Sequence, residues 1–234
     1  KRKEYIMESL TRRSPNPASS DNENTFTELS CERAAVYGLL ARLCREEIDR
    51  ATFDELKRFQ NQSPRNDDAI GRGLELIGSY VNAENECEND RLTELAVDFA
   101  RVFIGHGTDG HSAAYPYESV YTSDKRLIMQ QARKDVAGIY ASYGVKTRSS
   151  WGEGEDHLAT ELEFMQILCL KTDGSAEAFI KQKDFLDAHL MNWVPLMAND
   201  IRRFARTDFY RGFAYMLEGF LFLDDEFLAD AAAA

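Results

Sequence analysis

The sequence predicts an all-α protein, a single-domain bundle of roughly eight to ten helices. Two observations carry that expectation. Apolar residues recur at three- and four-residue spacing along almost the whole chain, as on Leu158, Leu162, Met165 and Cys169. Five prolines and fourteen glycines in 234 residues are too few for an all-β chain, which turns about once every ten residues. No segment alternates convincingly enough to predict a strand.

In chain order, Thr25 with Glu28 forms a capping-box pattern ahead of Leu29, Val36, Leu40 and Leu43. Thr52 with Glu55 repeats it before Phe53, Leu56 and Phe59. A turn at 64–67 leads to a third helix capped by Asp67 and carrying Ile70, Leu74, Ile77 and Val81. After a polar break from Asn82 to Asn89, a fourth helix presents Leu92, Leu95, Phe99, Val102 and Phe103. Regularity then fails from Gly105 to Tyr121, the longest internal irregular stretch, and loops of this length in a compact domain usually carry function. Helical spacing resumes after Ser123 through Leu127, Val136 and Ile139, and Gly144 is the expected stop. A second irregular stretch, Val145 to Glu155, enters a helix that starts near Asp156 and ends by Gly174. Another follows with Phe179, Phe185, His189 and Trp193, in which Pro195 predicts a kink or restart. Asp208 is the expected cap of a last, phenylalanine-rich helix. The domain is expected at 25–230, after a flexible tail at 1–24.

The composition narrows the function. Lys and Arg number 28 against 40 Asp and Glu, a net charge of −12, and a polyanion such as nucleic acid calls for a basic face instead. Cys31, Cys44, Cys87 and Cys169 form no CxxC pair, the usage of a reducing compartment. No apolar run is long enough to span a bilayer, so no stable membrane insertion is expected. Arg12-Arg13 is followed by Ser14-Pro15-Asn16-Pro17 and not by an apolar stretch, so the start does not read as a secretory signal. Phosphate-loop, dinucleotide and nucleophile-elbow motifs are absent, and no cofactor is expected.

Titratable residues concentrate at Glu153, Glu155, Asp156, His157 and Glu161. His157 and Glu161 share a helix face, and a helical metal-dependent enzyme built on this Glu153–His157 cluster is the alternative reading. A di-iron bundle, however, needs a Glu-x-x-His pair on each of two helices, and a zinc site on His157 would be signalled by a second histidine at ligand spacing. Neither is found, so no metal and no catalytic residue is assigned. His106 and His111 in the glycine-rich loop lack a third ligand. Asp156 as a helix cap, with acids near the positive end of the helix dipole, accounts for the cluster structurally. The run from Tyr115 to Tyr121 offers large aromatic faces with polar tips, suited to recognition or to pinning the loop.

The irregular segments resemble the TorD/DmsD family of molybdoenzyme maturation chaperones. Phe103-Ile104-Gly105, a short variable loop, then Tyr115-Pro116-Tyr117-Glu118-Ser119-Val120-Tyr121 is similar to the family's F-V-G … P-P-W-x-S-V-[YW] segment. Glu153-Gly154-Glu155-Asp156-His157 resembles its E-P-x-D-H signature, His189-Leu190 through Trp193 its H-L-x-x-W helix, and Phe209-Tyr210 its later F-Y pair. The likeness runs from about residue 26 to 223, with Gly154 where the family usually carries proline.

The resemblance implies a cytoplasmic chaperone, not an enzyme. It would bind the twin-arginine leader, the apo form of a molybdenum-cofactor oxidoreductase, or both, and delay export until the cofactor is inserted. A homodimer is compatible with the resemblance. The binding residues it points to are Tyr115, Tyr117, Glu118, Ser119, Tyr121, Glu153, Asp156 and His157. A groove rimmed by Glu118, Glu153 and Asp156 and floored by Tyr117 and Tyr121 is expected to take the leader's arginines on its acids and its apolar stretch on its rings.

Overall fold

The computed structural model describes residues 7–9, 21–60, 68–83, 87–105 and 112–233. Ten α-helices and two π turns make up about three quarters of these residues, so the chain is all-α as its periodicity predicts. The helices are α1 (Asp21–Arg45), α2 (Arg50–Gln60), α3 (Ala69–Val81), α4 (Glu88–Phe99), α5 (Glu118–Thr122), α6 (Gln131–Ser142), α7 (Leu158–Lys171), α8 (Ala176–Phe185), α9 (Met191–Phe204) and α10 (Asp208–Ala233). One π turn, Ala100–Ile104, continues α4, and the other, Leu186–Leu190, joins α8 to α9.

A pair of strands corrects the expectation of no β structure. β1 (Met7–Ser9) runs antiparallel to β2 (Val145–Thr147), with Met7 opposite Thr147 and Ser9 opposite Val145. The Met7 amide donates to Glu163 Oε2 at 2.7 Å, and its side chain is buried. Three residues carry too little alternation to announce a strand, which is why this pairing escaped the periodicity reading. It also places these three residues of the expected 1–24 tail on the fold.

The chain forms two compact units. The first comprises 1–42, 117–192 and 224–234, and the second 43–116 and 193–223. In the first unit every residue from Leu158 to Met165 is buried, so α7 has no solvent face along its first two turns. That burial takes in Thr160, Glu161 and Glu163 along with the apolar residues. Phe164 meets the rings of Tyr140 and Phe185, each at 4.7 Å between centroids. A buried ion pair completes this unit. Arg33, on α1, reaches Asp224, on α10, through two nitrogens, Nη2 at 2.9 Å from Oδ2. The Tyr37 hydroxyl donates to the same Oδ2 at 2.7 Å, one turn along α1 from Arg33.

In the second unit Phe103 packs edge-on against Tyr210 and Phe213. Helices α3 and α10 cross backbone to backbone: a Cβ on Gly73 would lie 2.6 Å from Gly212 O, and one on Gly212 would lie 2.6 Å from Gly73 O. Only glycine permits that approach. Asp98 is buried and takes the Arg206 and Thr207 amides and the Thr207 hydroxyl, the last at 2.7 Å.

Several helix starts differ from the sequence reading. Helix α1 begins at Asp21, ahead of the Thr25 cap. Asp49, not Thr52, caps α2, its carboxylate accepting the Thr52 amide at 2.8 Å. Asp68 caps α3 through the Gly71 amide, while Asp67 and the 64–67 turn lie outside the described residues. Thr207, not Asp208, stands before α10 and accepts the Tyr210 amide. The helix expected from Ser123 starts only at Gln131, because Arg126 and Met129 adopt positive φ (49° and 62°) and break the run between them. Gly144, at φ 66°, stops α6 as expected. Pro195 sits within α9, directly after the second π turn.

Candidate functional site

Two of the sequence-predicted segments meet in the first unit. Tyr117 and His157 form an isolated antiparallel bridge, and the Glu118 amide donates to Asp156 O at 3.0 Å. The Asp156 side chain ties the segments again: its Oδ2 accepts the Ser119 amide at 3.1 Å and the Ser119 hydroxyl. Ser119 Oγ in turn accepts the Gln130 amide at 3.1 Å, which fixes the entry to α6. Ser119 is wholly buried and Asp156 is 1% exposed, so this network is internal. The carboxylate is spent on the first turn of α5, and Asp156 is not the cap of α7.

That cap is His157. Its Nδ1 accepts the Ala159 amide at 3.1 Å, which puts the ring proton on Nε2 and keeps the imidazole neutral. Burial pushes its pKa down to about 3. An unfolded histidine takes a proton near pH 6.5, whereas the folded ring refuses it until about pH 3. Stability is therefore whole above pH 6.5 and drains as pH falls toward 3. From this group alone the loss between pH 7 and pH 5 should be about 2 kcal/mol. Urea unfolding at both pH values measures it, and in His157→Asn, which can still cap, that part of the pH dependence should vanish.

Glu118 does not rim a groove either. It is 4% exposed, and its Oε2 lies 2.9 Å from His189 Nδ1, a residue placed there by the Leu186–Leu190 π turn. π turns often mark functional positions because the extra residue redirects side chains. The other π turn, Ala100–Ile104, ends at Gly105 (φ 70°), within the Phe103-Ile104-Gly105 motif.

What remains accessible is a smaller, mixed surface. Glu153 is exposed and accepts a hydrogen bond from the half-buried Tyr117 hydroxyl. Burial, and then the neighbouring Glu153 carboxylate, raise the Tyr117 pKa well above its ordinary value, so the hydroxyl stays a donor. Tyr117 and Trp151 both stand edge-on to the His157 ring, at 5.1 Å and 5.3 Å. Tyr121 is half-buried with the Arg126 guanidinium 5.3 Å from its centroid. Arg133 binds Glu155. Tyr115 belongs to the second unit, where its hydroxyl meets Ser112 Oγ at 2.9 Å.

Sequence reasoning missed Trp151 as a site residue. Its one signal was a lone large aromatic inside the polar run Arg148 to Asp156. It also left His189 out of the site, since nothing local pairs it with Glu118. Among the described residues, no group of three or more His, Cys, Asp and Glu is arranged to hold a metal ion. His106 and His111 lie outside the described residues. No helix among the described residues is long and apolar enough to cross a membrane.

The two segments together place exposed Glu153 and the half-buried rings of Tyr117 and Trp151 over a buried polar scaffold. The family model described as nitrate reductase delta subunit matches residues 63–199. The chain is 30% identical to the chaperone protein TorD of Vibrio parahaemolyticus over 209 residues, which cover 84% of this chain and 94% of that relative. Identity is also 30% to the chaperone protein TorD of Photobacterium profundum, across 87% and 97% of the two chains. For the chaperone protein TorD of Aliivibrio salmonicida it is 27%, across 88% and 97%. The chain belongs to the TorD family of chaperones. It is a chaperone and not an enzyme, which sets aside the metal-dependent alternative.

Proposed function

We propose that this chaperone acts in the cytoplasm on a molybdenum-cofactor oxidoreductase, holding its apo form, its twin-arginine leader, or both until the cofactor is in place. The observation that carries the reading is the juxtaposition of exposed Glu153 with the edges of Tyr117 and Trp151 on one buried scaffold. A leader joins a basic stretch to an apolar helix-prone one, and a carboxylate beside aromatic rings answers both. Tyr117, Tyr121 and Glu153 face the client in this reading, and Glu118, Ser119, Asp156 and His157 hold the surface in shape. Whether the chaperone pairs with itself is separable from client binding.

Affinity capture from the native cytosol is expected to retain an oxidoreductase subunit bearing a twin-arginine leader. A labelled peptide of that leader should then bind the wild type and lose about tenfold or more in affinity to Tyr117→Ala combined with Glu153→Lys, since one change removes an aromatic wall and the other reverses a charge. Equal affinity for the two proteins would sink the assignment of this surface. Retention of a leader-deleted client at full strength would assign recognition to the mature enzyme instead.

A further inference from the structure

Between α5 and α6 the chain exposes three large apolar side chains in a row. Leu127, Ile128 and Met129 are 50%, 46% and 61% exposed. Single exposed apolar residues are ordinary, whereas a run of three on a surface calls for a partner. The backbone holds this run in a costly conformation. Arg126 and Met129 take positive φ, which residues other than glycine seldom adopt and which persists only where the surroundings enforce it. Both ends of the loop are tied to Ser119. Its carbonyl accepts the Ser123 hydroxyl at 2.6 Å, and Ser123 O accepts the Arg126 amide at 3.0 Å. At the other end Ser119 Oγ accepts the Gln130 amide, and the Gln130 side-chain amide donates to Ile128 O at 2.9 Å. The apolar tip is therefore held in shape before any partner arrives.

The flanking charges say what kind of partner fits. Exposed Lys125 and Lys134 and half-buried Arg126 flank the run, against exposed Asp124 and Asp135, while Arg133 is matched by Glu155. Basic residues thus outnumber acids here, in a chain of net charge −12. Apolar side chains between long basic ones suit an anionic lipid surface. The apolar groups enter the boundary between headgroups and acyl chains, and the basic side chains reach back to the phosphates. We propose that the loop at 125–130 is a peripheral membrane contact for bilayers rich in anionic lipid. None of its residues is assigned to the client, and the proposal stands without the client reading. With three apolar residues and no spanning helix among the described residues, the attachment is weak and reversible.

Co-sedimentation of the full chain, free of client, with lipid vesicles tests the contact. The protein is expected to pellet with vesicles of phosphatidylglycerol and phosphatidylcholine in equal parts, and to stay in solution with phosphatidylcholine alone. Leu127→Ser combined with Ile128→Ser, which leaves both positive-φ residues in place, should weaken the partition about tenfold. Lys125→Glu combined with Lys134→Glu should weaken it by about tenfold or more, with the larger effect at low salt. All four side chains are exposed, so circular dichroism should be unchanged in both variants. If the serine variant fails to fold, the charge variant carries the test. Leu127→Trp should add an emission that moves to shorter wavelength with the anionic vesicles. Failure of the wild type to pellet, equal partition of wild type and variants, or equal partition on the two vesicle types would overturn the proposal. Without vesicle binding, self-association that the serine variant loses would give the loop to a second copy of this chain. A fall in leader-peptide affinity in that variant, again without vesicle binding, would give it to the client.

Discussion

Asp224→Ala is expected to destabilise the protein by about 3–5 kcal/mol, the usual cost of leaving a buried charge without its partner. Arg33 is 5% exposed and takes both carboxylate oxygens of Asp224, so the guanidinium has little water to fall back on. The Tyr37 hydroxyl loses the same acceptor. For a chain of this length the melting temperature should fall by roughly 6–20 °C, followed by circular dichroism. Arg33→Met combined with Asp224→Leu should recover most of that loss, because apolar groups of similar volume often match or exceed a buried pair. A double variant no more stable than Asp224→Ala would show that the polar pair itself, and not the stranded charge, carries the effect.

Asp156→Ala should cost about 2–4 kcal/mol, since it strands the buried Ser119 amide and hydroxyl and charge-assisted bonds are among the stronger ones. Its melting temperature should drop by roughly 4–15 °C. The change also loosens the segment that carries Tyr117, so client affinity should weaken even well below the melting temperature. Ser119→Ala, which keeps the amide bond to Asp156, should lose less on both measures. Equal losses in the two variants would place the weight on the hydroxyl alone. Charge reversal at Asp156 would report on folding, and for that reason Glu153 is the acid to reverse when client binding is the question.

The helices were legible because burial of one face imprints a period on the sequence, and that imprint survives without knowledge of any partner. Leu158, Leu162, Met165 and Cys169 are all buried as their spacing implies. The motif segments were legible too, as places where the period fails. What escaped were features defined by a distant partner. Asp98 looks like any surface acid until Thr207 is placed against it, and Asp224 like one more acid of a terminal helix until Arg33 arrives from 191 residues away. The same holds for Glu118 and His189, 71 residues apart, and for Asp156 and Ser119, 37 apart, and these pairings turned two expected rim acids into interior ones. Caps were misplaced by a residue or a few because several Thr, Asp and His residues compete at each helix start, and only backbone geometry decides among them.

The Arg33–Asp224 pair also sets a schedule. Protein chains leave the ribosome at about 5–20 residues per second, so Arg33 waits roughly 10–40 s for its carboxylate. Through that interval an arginine destined for the interior stands on a nascent helix with nothing to neutralise it, and the unit that presents Tyr117 and Glu153 is incomplete. A chain cut short before Asp224 keeps every motif residue and still lacks the closing pair. The first unit therefore closes only once Asp224 has been made.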